Sequence, residues 1–269
     1  MKSDSSTETI ISIPLNNSKA YGSFIKIKMY SLIKDLPVAL LLIAGVVFSI
    51  YTKKLTLVAA FTGLICGLLL YAAAGYPGIM MLTVFFLAGT VATSWGRRKK
   101  RQLDKPGDPV QRNAGQVLAN AGMAALLAIV MIIFPFYHSL WMVMLSATLA
   151  SAMADTLSSE LGMIYGKRFY NCISWKKDLC GLDGVVSLEG TLIGTMGAVV
   201  IALLYAFSES FDINFLIIVI AGAAGNYSDS LMGASFERKG VLSNDQVNFL
   251  STLFAAVVAG LFFLLIRVF

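Results

Sequence analysis

Acidic side chains occur in two long apolar segments, at positions where a membrane helix seldom carries charge. One segment contains Asp155 and continues into Glu160, and another contains Asp229. An ionisable residue inside a membrane costs about 2.5–3.5 kcal/mol on insertion scales, so it usually faces a partner, a cavity or the bundle interior. These three carboxylates are therefore the first candidates for chemistry, and such oxygen ligands suit Mg²⁺.

Polar neighbours share the helix faces of these carboxylates. Ser159 follows Asp155 by four residues, and Asn226 precedes Asp229 by three residues and Ser230 by four. Residues three or four apart lie on the same side of a helix. We therefore expect one polar face on each of the two segments.

A stripe of hydrogen-bond donors opens an earlier apolar segment. Arg112, Gln116 and Asn120 recur every four residues and lie on one helix face. Such a stripe could simply extend towards water at the membrane surface. Asn120, however, lies two turns inside the segment, which favours a role in a site.

A glycine-containing turn between two apolar segments follows a pair of lysines. Backbone N–H groups at the start of a helix can bind an anion, and lysines beside them add donors. The turn lacks the Gly-Lys-Ser/Thr ending of a Walker loop, so the turn alone predicts phosphate binding only weakly. The residues of this element are Lys176, Lys177, Gly181, Asp183, Gly184 and Ser187.

Small residues also recur at four-residue spacing, as at Gly190 and Gly194, which are flanked by Thr191 and Thr195. This spacing lets the backbones of two membrane helices approach closely. It predicts helix packing, and by itself it assigns no ligand.

The composition identifies the medium that surrounds these segments. Of 269 residues, 57% are hydrophobic and 13% are charged, and the mean hydropathy is +0.77. Soluble domains carry about 25% charged residues. We therefore predict an all-α, polytopic integral membrane protein, a helical bundle of seven or eight spans in a single domain over 36–269. A net charge of +6 could suggest nucleic acid, but basic membrane loops explain it, so no nucleic-acid partner is expected.

Basic residues alternate from one connection to the next. Fifteen Lys and Arg residues fall in four connections, and the three connections between them hold none. Positive-inside bias places the basic connections in the cytoplasm, and with them the active face. The basic connections are 52–54 and the loops 96–113, 157–186 and 234–246. The apolar segments are 36–51, 55–75, 77–95, 114–136, 139–156, 187–207, 213–233 and 247–268.

The N-terminal region leaves the number of spans open. Residues 1–35 form a polar tail that we expect to be partly disordered, and it contains five lysines. Eight full spans would place this tail outside, against the charge bias. If segment 36–51 only dips into the membrane, seven spans remain and the tail is cytoplasmic.

Five short motifs together resemble one known family, and the resemblance covers roughly residues 45–268. It is the integral membrane family that contains plant phytyl-phosphate kinase and vertebrate transmembrane protein 19. The resemblance implies phosphorylation of an isoprenoid monophosphate to its diphosphate by a nucleoside triphosphate. The family is also distantly similar to membrane enzymes that use CTP on lipids, which makes CTP one candidate donor and leaves other nucleoside triphosphates open. The motifs lie at 112–120, 154–162, 181–191, 229–234 and 244–248.

The chain departs from the family pattern in two places. The loop expected to read close to Pro-Gly-Thr-Asn-Gly-Gly-Val-Ser has Cys180, Leu182, Asp183 and Val185, and Glu237 replaces an expected glutamine. Fewer glycines limit how closely backbone can approach a phosphate. The departures therefore bear on the choice of nucleotide more than on the class of reaction.

These observations combine into one hypothesis, a membrane-embedded Mg²⁺-dependent kinase whose lipid chain lies among the spans and membrane lipids. The alternative is an ion- or proton-coupled transporter, or a lipid carrier, that uses the same polar cavity. In the kinase, Mg²⁺ is held by Asp155, Glu160 and Asp229. Phosphates and substrate are bound by Arg112, Gln116, Asn120, Ser159, Lys176, Lys177, Gly181, Asp183, Gly184, Ser187, Asn226 and Ser230.

Overall fold

The computed structural model describes residues 35–100 and 111–268. The chain divides into two units, Met1–Leu41 and Leu42–Phe269. Of the first unit, only residues 35–41 are described, and they begin the first helix. The predicted tail, apart from Asp35, lies outside the described residues.

Helices account for about four fifths of the described chain, which confirms the predicted all-α membrane bundle. Six of them are long and apolar enough to cross a membrane, and α1 is shorter. The long helices are α2 (Leu57–Ser94), α4 (Ala114–Ile133), α5 (His138–Tyr165), α6 (Leu188–Ser208), α7 (Ile213–Met232) and α8 (Asn244–Val268). The shorter elements are α1 (Asp35–Tyr51), α3 (Arg97–Lys100), a 3₁₀ turn (Pro135–Tyr137), β1 (Tyr170–Asn171), β2 (Val185–Val186) and a π-helical turn (Gly233–Glu237).

Helix α2 is a hairpin of two arms. Gly75 leaves the helical region with φ 61° and ψ −146°, a conformation that glycine adopts without steric cost. A straight helix of 38 residues would be about 57 Å long. Lys54 Nζ nevertheless donates to Ser94 Oγ at 2.7 Å, and a Cβ on Gly67 would lie 3.7 Å from Leu82. The arms match the predicted segments 55–75 and 77–95, so the described chain has seven segments of membrane length besides α1.

Helix α5 is the most deeply buried of the long helices. Its alanines Ala147, Ala150 and Ala154 have no exposed surface. A Cβ on Gly222 of α7 would lie 2.8 Å from the Cβ of Ala150, and one on Gly194 of α6 would lie 2.6 Å from the carbonyl of Ala154. Backbone approach of this kind is how membrane helices associate. The small-residue spacing is therefore helix packing, as predicted.

Helix α5 also extends further than the apolar segment 139–156 that the sequence predicts. It continues to Tyr165 before Gly166 ends it in an extended conformation. Ser159 and Glu160 consequently lie on the same helix as Asp155, and not in a loop. The connection that follows, residues 166–187, is called the strap.

The basic connections meet at one end of the bundle. Arg112 N–H donates to the Lys54 carbonyl at 3.0 Å, and Trp95 Nε1 donates to the Tyr165 hydroxyl at 2.9 Å. These bonds join the start of α2, its end, the start of α4 and the end of α5. The alternation of charge in the sequence therefore corresponds to one basic end of the bundle.

The strap is tied to the end of α7 by side-chain contacts. Cys172 Sγ donates to the Ser230 carbonyl at 3.2 Å, and Arg238 Nε donates to the Asp183 carbonyl. Arg238 also pairs with Asp178 at 2.8 Å. Hydrogen bonding from the Leu179 N–H and pairing with Arg238 lower the pKa of Asp178. Because its ends and middle are held, the strap covers the basic end of the bundle.

Candidate active site

A cavity of about 350 Å³ lies at the basic end of the bundle, between α4, α5, α6, α7, α8 and the strap. Thirteen of the fifteen residues predicted for the site line this cavity. They come from four parts of the chain that are distant in sequence, so the sequence predicts a cluster that the fold assembles. The thirteen are Arg112, Gln116, Asn120, Asp155, Ser159, Glu160, Gly181, Asp183, Gly184, Ser187, Asn226, Asp229 and Ser230.

Lys176 and Lys177 are the two predicted residues that do not line it. Both side chains are exposed, and both residues lie between β1 and β2. The Lys176 carbonyl accepts from Asn171 N–H at 2.9 Å, and Lys177 forms an antiparallel bridge with Tyr170. This narrow strand pairing separates the lysines from the glycine turn that follows them in sequence.

Asp155 of α5 and Asp229 of α7 face each other in the cavity. Their carboxyl groups lie close enough to interact strongly, and Ser251 of α8 also lies beside Asp229. Asp229 Oδ2 is buried and has no hydrogen-bond partner among the described residues. Two carboxylates in contact repel one another unless a proton or a cation lies between them.

This pair fits Mg²⁺. Mg²⁺ is commonly held by one or two carboxylates, with water and phosphate oxygens completing its coordination. The buried, unpartnered Oδ2 of Asp229 is an oxygen of the required kind. Within the described residues, no three Asp, Glu, His or Cys side chains form a group that could hold a metal ion. Asp155 and Asp229 are the two carboxylates that would hold such an ion, and Glu160 does not group with them.

Glu160 instead forms an ion pair with Lys100. The Lys100 Nζ lies 2.5 Å from Glu160 Oε2, and only 6% of the lysine side chain is exposed. The same Nζ donates to the Ala92 carbonyl at 2.7 Å, at the end of α2. A buried lysine needs such partners. The sequence did not indicate this pairing, because the two residues meet only through the packing of α3 on α5.

The donor stripe at the start of α4 lines the cavity, but its members differ in how they are engaged. Asn113 and Gln116 form a reciprocal capping box, and Asn120 Nδ2 donates to the Gln116 carbonyl at 2.9 Å. Arg112 Nη2 donates to Thr93 Oγ1 at 2.9 Å. Burial lowers the pKa of Arg112, whereas the nearby Glu160 raises it. Arg112 therefore places a guanidinium group in the cavity.

The first turn of α6 forms the opposite wall. Ser187 caps this helix, and its hydroxyl accepts from Gly190 N–H at 3.1 Å. The N-terminal end of a 21-residue helix carries partial positive charge that favours an anion. Gly184 has φ 71°, and a Cβ there would collide with the backbone of Ala234. Gly184 is thus required by contact between the strap and the π-helical turn, whatever it binds.

Several further polar residues line the cavity that the sequence had not assigned to the site. Glu237 reaches it from the π-helical turn, an irregularity often found at functional sites. Asn248 Oδ1 is buried without a hydrogen-bond partner among the described residues. The spacing of Asn244 and Asn248 matches that of Gln116 and Asn120 and could have indicated them. The additional polar lining residues are Thr156, Ser158, Thr191, Thr195, Tyr227, Glu237, Asn244 and Asn248.

The charges of the lining describe what the cavity can accept. Among the described residues that line it, five are carboxylic acids and Arg112 is the one base. A phosphate entering alone would meet net repulsion. A phosphate accompanied by a divalent cation would be attracted, because the cation neutralises the carboxylates.

Residues 40–256 match the family described as integral membrane protein DUF92. The chain belongs to this integral membrane family. The family resemblance expected from the five motifs is confirmed, and so is the assignment to the membrane. No solved structure matches the chain.

Proteins similar to this chain come from archaea, cyanobacteria and plants. The uncharacterized membrane protein MJ0933 of Methanocaldococcus jannaschii is 34% identical over 200 residues, which cover 74% of this chain and 82% of that protein. The uncharacterized membrane protein sll0875 of Synechocystis is 27% identical, over 72% and 77% of the two chains. Protein VTE6, chloroplastic, of Arabidopsis thaliana is 28% identical, over 72% and 60%.

Proposed function

We propose that this protein is a membrane-embedded kinase that phosphorylates an isoprenoid monophosphate to the diphosphate with a nucleoside triphosphate. The observation that carries the proposal is the contact between Asp155 and Asp229 inside a cavity that also contains Arg112 and the first turn of α6. The similarity to Protein VTE6, and the motif resemblance to the family of plant phytyl-phosphate kinase, support the same reaction class.

The residues divide into two groups with separate tasks. Asp155 and Asp229 would hold Mg²⁺, which supplies charge neutralisation for the transferring phosphoryl group. Arg112 and the first turn of α6 face the same cavity from other sides. They would bind phosphate oxygens and orient the lipid phosphate towards the terminal phosphate of the donor. Phosphoryl transfer depends mainly on such positioning and charge stabilisation.

The reaction balances without a covalent enzyme intermediate. A phosphate oxygen of the lipid attacks the γ-phosphorus of the nucleotide, a new P–O bond forms, and the bond between the β–γ bridging oxygen and the γ-phosphorus breaks. The nucleoside diphosphate leaves with that bridging oxygen. The cavity needs no nucleophilic side chain for this, in keeping with the absence of histidine and cysteine from its described lining.

The position of the cavity favours a kinase over the transporter alternative. Transporter sites lie near the bilayer midplane, where discontinuous helices meet. Here the cavity opens at the basic end of the bundle, beside the strap, and the break in α2 at Gly75 lies at the other end. Both substrates of a kinase carry charged phosphates that would remain at the membrane surface.

The discriminating experiment measures nucleotide consumption by the purified protein in lipid nanodiscs. Geranylgeranyl monophosphate or phytyl monophosphate is supplied with Mg²⁺ and, in turn, CTP, ATP, GTP and UTP. A kinase releases nucleoside diphosphate only when the prenyl monophosphate is present. A carrier that binds the lipid without consuming any of the four nucleotides would refute the proposal.

A further inference from the structure

We infer that the isoprenoid chain of the lipid leaves the cavity sideways, through a groove between α6 and α7, and enters the bilayer there. The inference rests on the proposed function, because it identifies where the apolar part of that substrate lies. The groove is defined by Thr191 and Thr195 of α6 and by Ala223 and Tyr227 of α7. All four line the same cavity as Asp155.

The groove extends from the carboxylate pair towards the membrane interior. Thr195 lies eight residues after the cap Ser187, and Ala223 lies six residues before Asp229. At 1.5 Å per residue, the lining reaches about 10 Å along both helices. The cavity is therefore not confined to the surface, where phosphates would bind.

The walls of the groove are less polar than their residue types suggest. Thr191 Oγ1 donates to the Ser187 carbonyl at 3.0 Å, and Thr195 Oγ1 donates to the Thr191 carbonyl at 2.9 Å. Both hydroxyl groups are thus engaged by the backbone of their own helix. With Ala223 opposite, the groove can accommodate hydrocarbon without leaving a hydroxyl group unpaired.

Tight contacts between helices block the groove at its deep end and on the side of the bundle core. At greater depth, a Cβ on Gly222 would lie 3.0 Å from the Cβ of Ala198. On the side of the bundle core, a Cβ on Gly194 would lie 2.8 Å from Asn226 Nδ2. An extended chain could therefore proceed only outwards.

The outward side of the groove is lipid-facing. Leu192 and Met196 of α6 are 58% and 62% exposed, and Ile220 of α7 is 52% exposed. Tyr227 is 44% exposed and lies beside the polar end, a common position for tyrosine at a membrane interface. A chain in the groove would pass from these residues directly into the acyl chains.

A second groove, between α4 and α8, is the competing place for an apolar chain. It is lined mainly by apolar residues that include Leu118, Phe249 and Leu250. None of its lining residues also lines the carboxylate cavity. Asp245 in its lining would repel a lipid phosphate. It therefore cannot place a reacting phosphate beside Asp155.

Photocrosslinking tests the groove without requiring catalysis. The parent protein in nanodiscs is irradiated with a prenyl monophosphate that carries a diazirine on its first isoprene unit, and adducts are mapped by mass spectrometry. We expect adducts on α6 and α7 around Thr195 and Ala223. Adducts concentrated around Leu118 and Phe249, or spread evenly over lipid-facing residues, would overturn the inference.

A substitution that fills the groove provides the kinetic test. Ala223→Leu should raise the KM for geranylgeranyl monophosphate about tenfold, as a misfit of a few methylenes does in apolar pockets. The KM for dimethylallyl monophosphate, whose short chain would end inside the cavity, should stay within twofold of the parent value. The matched control is Ala224→Leu, the next and equally half-buried residue, which does not line the cavity. Equal effects of the two variants, or of the two substrates, would contradict the groove.

The outcomes separate this inference from the proposed function. Adducts at α6 and α7 without any nucleotide consumption would retain the groove and reject the kinase. Nucleotide consumption that depends on the lipid, with adducts elsewhere, would retain the kinase and reject the groove.

Discussion

The carboxyl groups of Asp155 and Asp229 are in contact across the interface of α5 and α7. Asp229 lies in the last turn of α7, whereas α5 continues beyond Asp155 to Tyr165. Close packing of small residues brings the two helices together one turn deeper. There a Cβ on Gly225 would collide with the side chain of Ser151. Because the backbones approach this closely, the two carboxyl groups are held next to each other. Two ionised acids in contact repel one another unless a proton or a cation lies between them.

Neutralising either acid should abolish activity without unfolding the protein. In Asp155→Asn or Asp229→Asn, the new amide can donate a hydrogen bond to the remaining carboxylate, so the pair gains an attraction. We expect at least a 100-fold loss of turnover and, in the absence of Mg²⁺, a melting temperature equal to or above that of the parent. Binding of Mn²⁺, followed by electron paramagnetic resonance, should be lost as well.

The control for these variants is Asp212→Asn at the other end of the bundle. Asp212 caps α7, and asparagine is an equally good cap, so activity should be unchanged. A misfolded Asp155→Asn or Asp229→Asn protein, or one with parental Mn²⁺ affinity, would show that the pair is structural.

Glu160 should act as the partner of Lys100 and not as a metal ligand. Lys100→Met leaves the Glu160 carboxylate unpaired, and breaking a buried pair costs about 3 kcal/mol. We expect that loss in the free energy of unfolding in mixed micelles, and a smaller loss in the double variant Lys100→Met with Glu160→Gln. Glu160→Gln alone should keep the apparent Mg²⁺ affinity within twofold. A tenfold weaker Mg²⁺ affinity would return Glu160 to the set of ligands.

Arg112 should bind phosphate, and the strap lysines should not. Arg112→Ala should raise the KM for the lipid phosphate or the nucleotide about tenfold or more, because it removes a cation from a largely acidic cavity. Lys176→Ala and Lys177→Ala should leave both KM values within twofold, because these side chains are exposed outside the cavity lining. The reverse ranking in steady-state kinetics would show that the strap rearranges when substrates bind.

Gly184 should be required for folding. Gly240 has a similar positive φ but should tolerate a side chain. Gly184→Ala would collide with the backbone of Ala234, whereas a Cβ on Gly240, at φ 68°, would have no atom within 4 Å. Gly240→Ala therefore bears only the conformational cost, about 1 kcal/mol. We expect a much lower melting temperature for Gly184→Ala than for Gly240→Ala. Equal melting temperatures would show that the strap can move away from the π-helical turn.

The basic end of the bundle should be cytoplasmic. Single cysteines at Lys53 and Lys239, both exposed, should resist a membrane-impermeant maleimide applied to intact cells, whereas one at Ser210 should react. Position 100 is unsuitable for this test, because Lys100 is buried and would be silent on either side. Reaction at position 53 or 239 with protection at 210 would invert the topology.

Local sequence patterns predict much of this fold. The break at Gly75 separates two apolar segments that the sequence predicts correctly, because glycine and the proline that follows are strong local signals. The clustering of Asp155 and Asp229 is predictable because an ionisable residue in a membrane segment usually faces the interior. The position of Arg112 is predictable from its spacing with Gln116 and Asn120.

The features that sequence could not predict depend on tertiary contacts. Lys100 reaches Glu160 only because α3 packs on α5, and no local pattern records that. Lys176 and Lys177 precede the glycine turn in sequence, but the pairing of β1 with β2 separates them from the cavity. Their proximity in sequence to the glycine turn therefore suggested a phosphate-binding role that their positions in the structure do not support.

The most direct test of the proposed kinase activity follows a labelled γ-phosphoryl group from the nucleotide to the lipid. Purified protein in nanodiscs is given a prenyl monophosphate, a γ-labelled nucleoside triphosphate and increasing Mg²⁺, and the lipid products are separated and counted. We predict labelled prenyl diphosphate that requires Mg²⁺ and is not formed by Asp155→Asn or Asp229→Asn. Lipid that stays unlabelled with every donor, or labelling that persists in both variants, would contradict it.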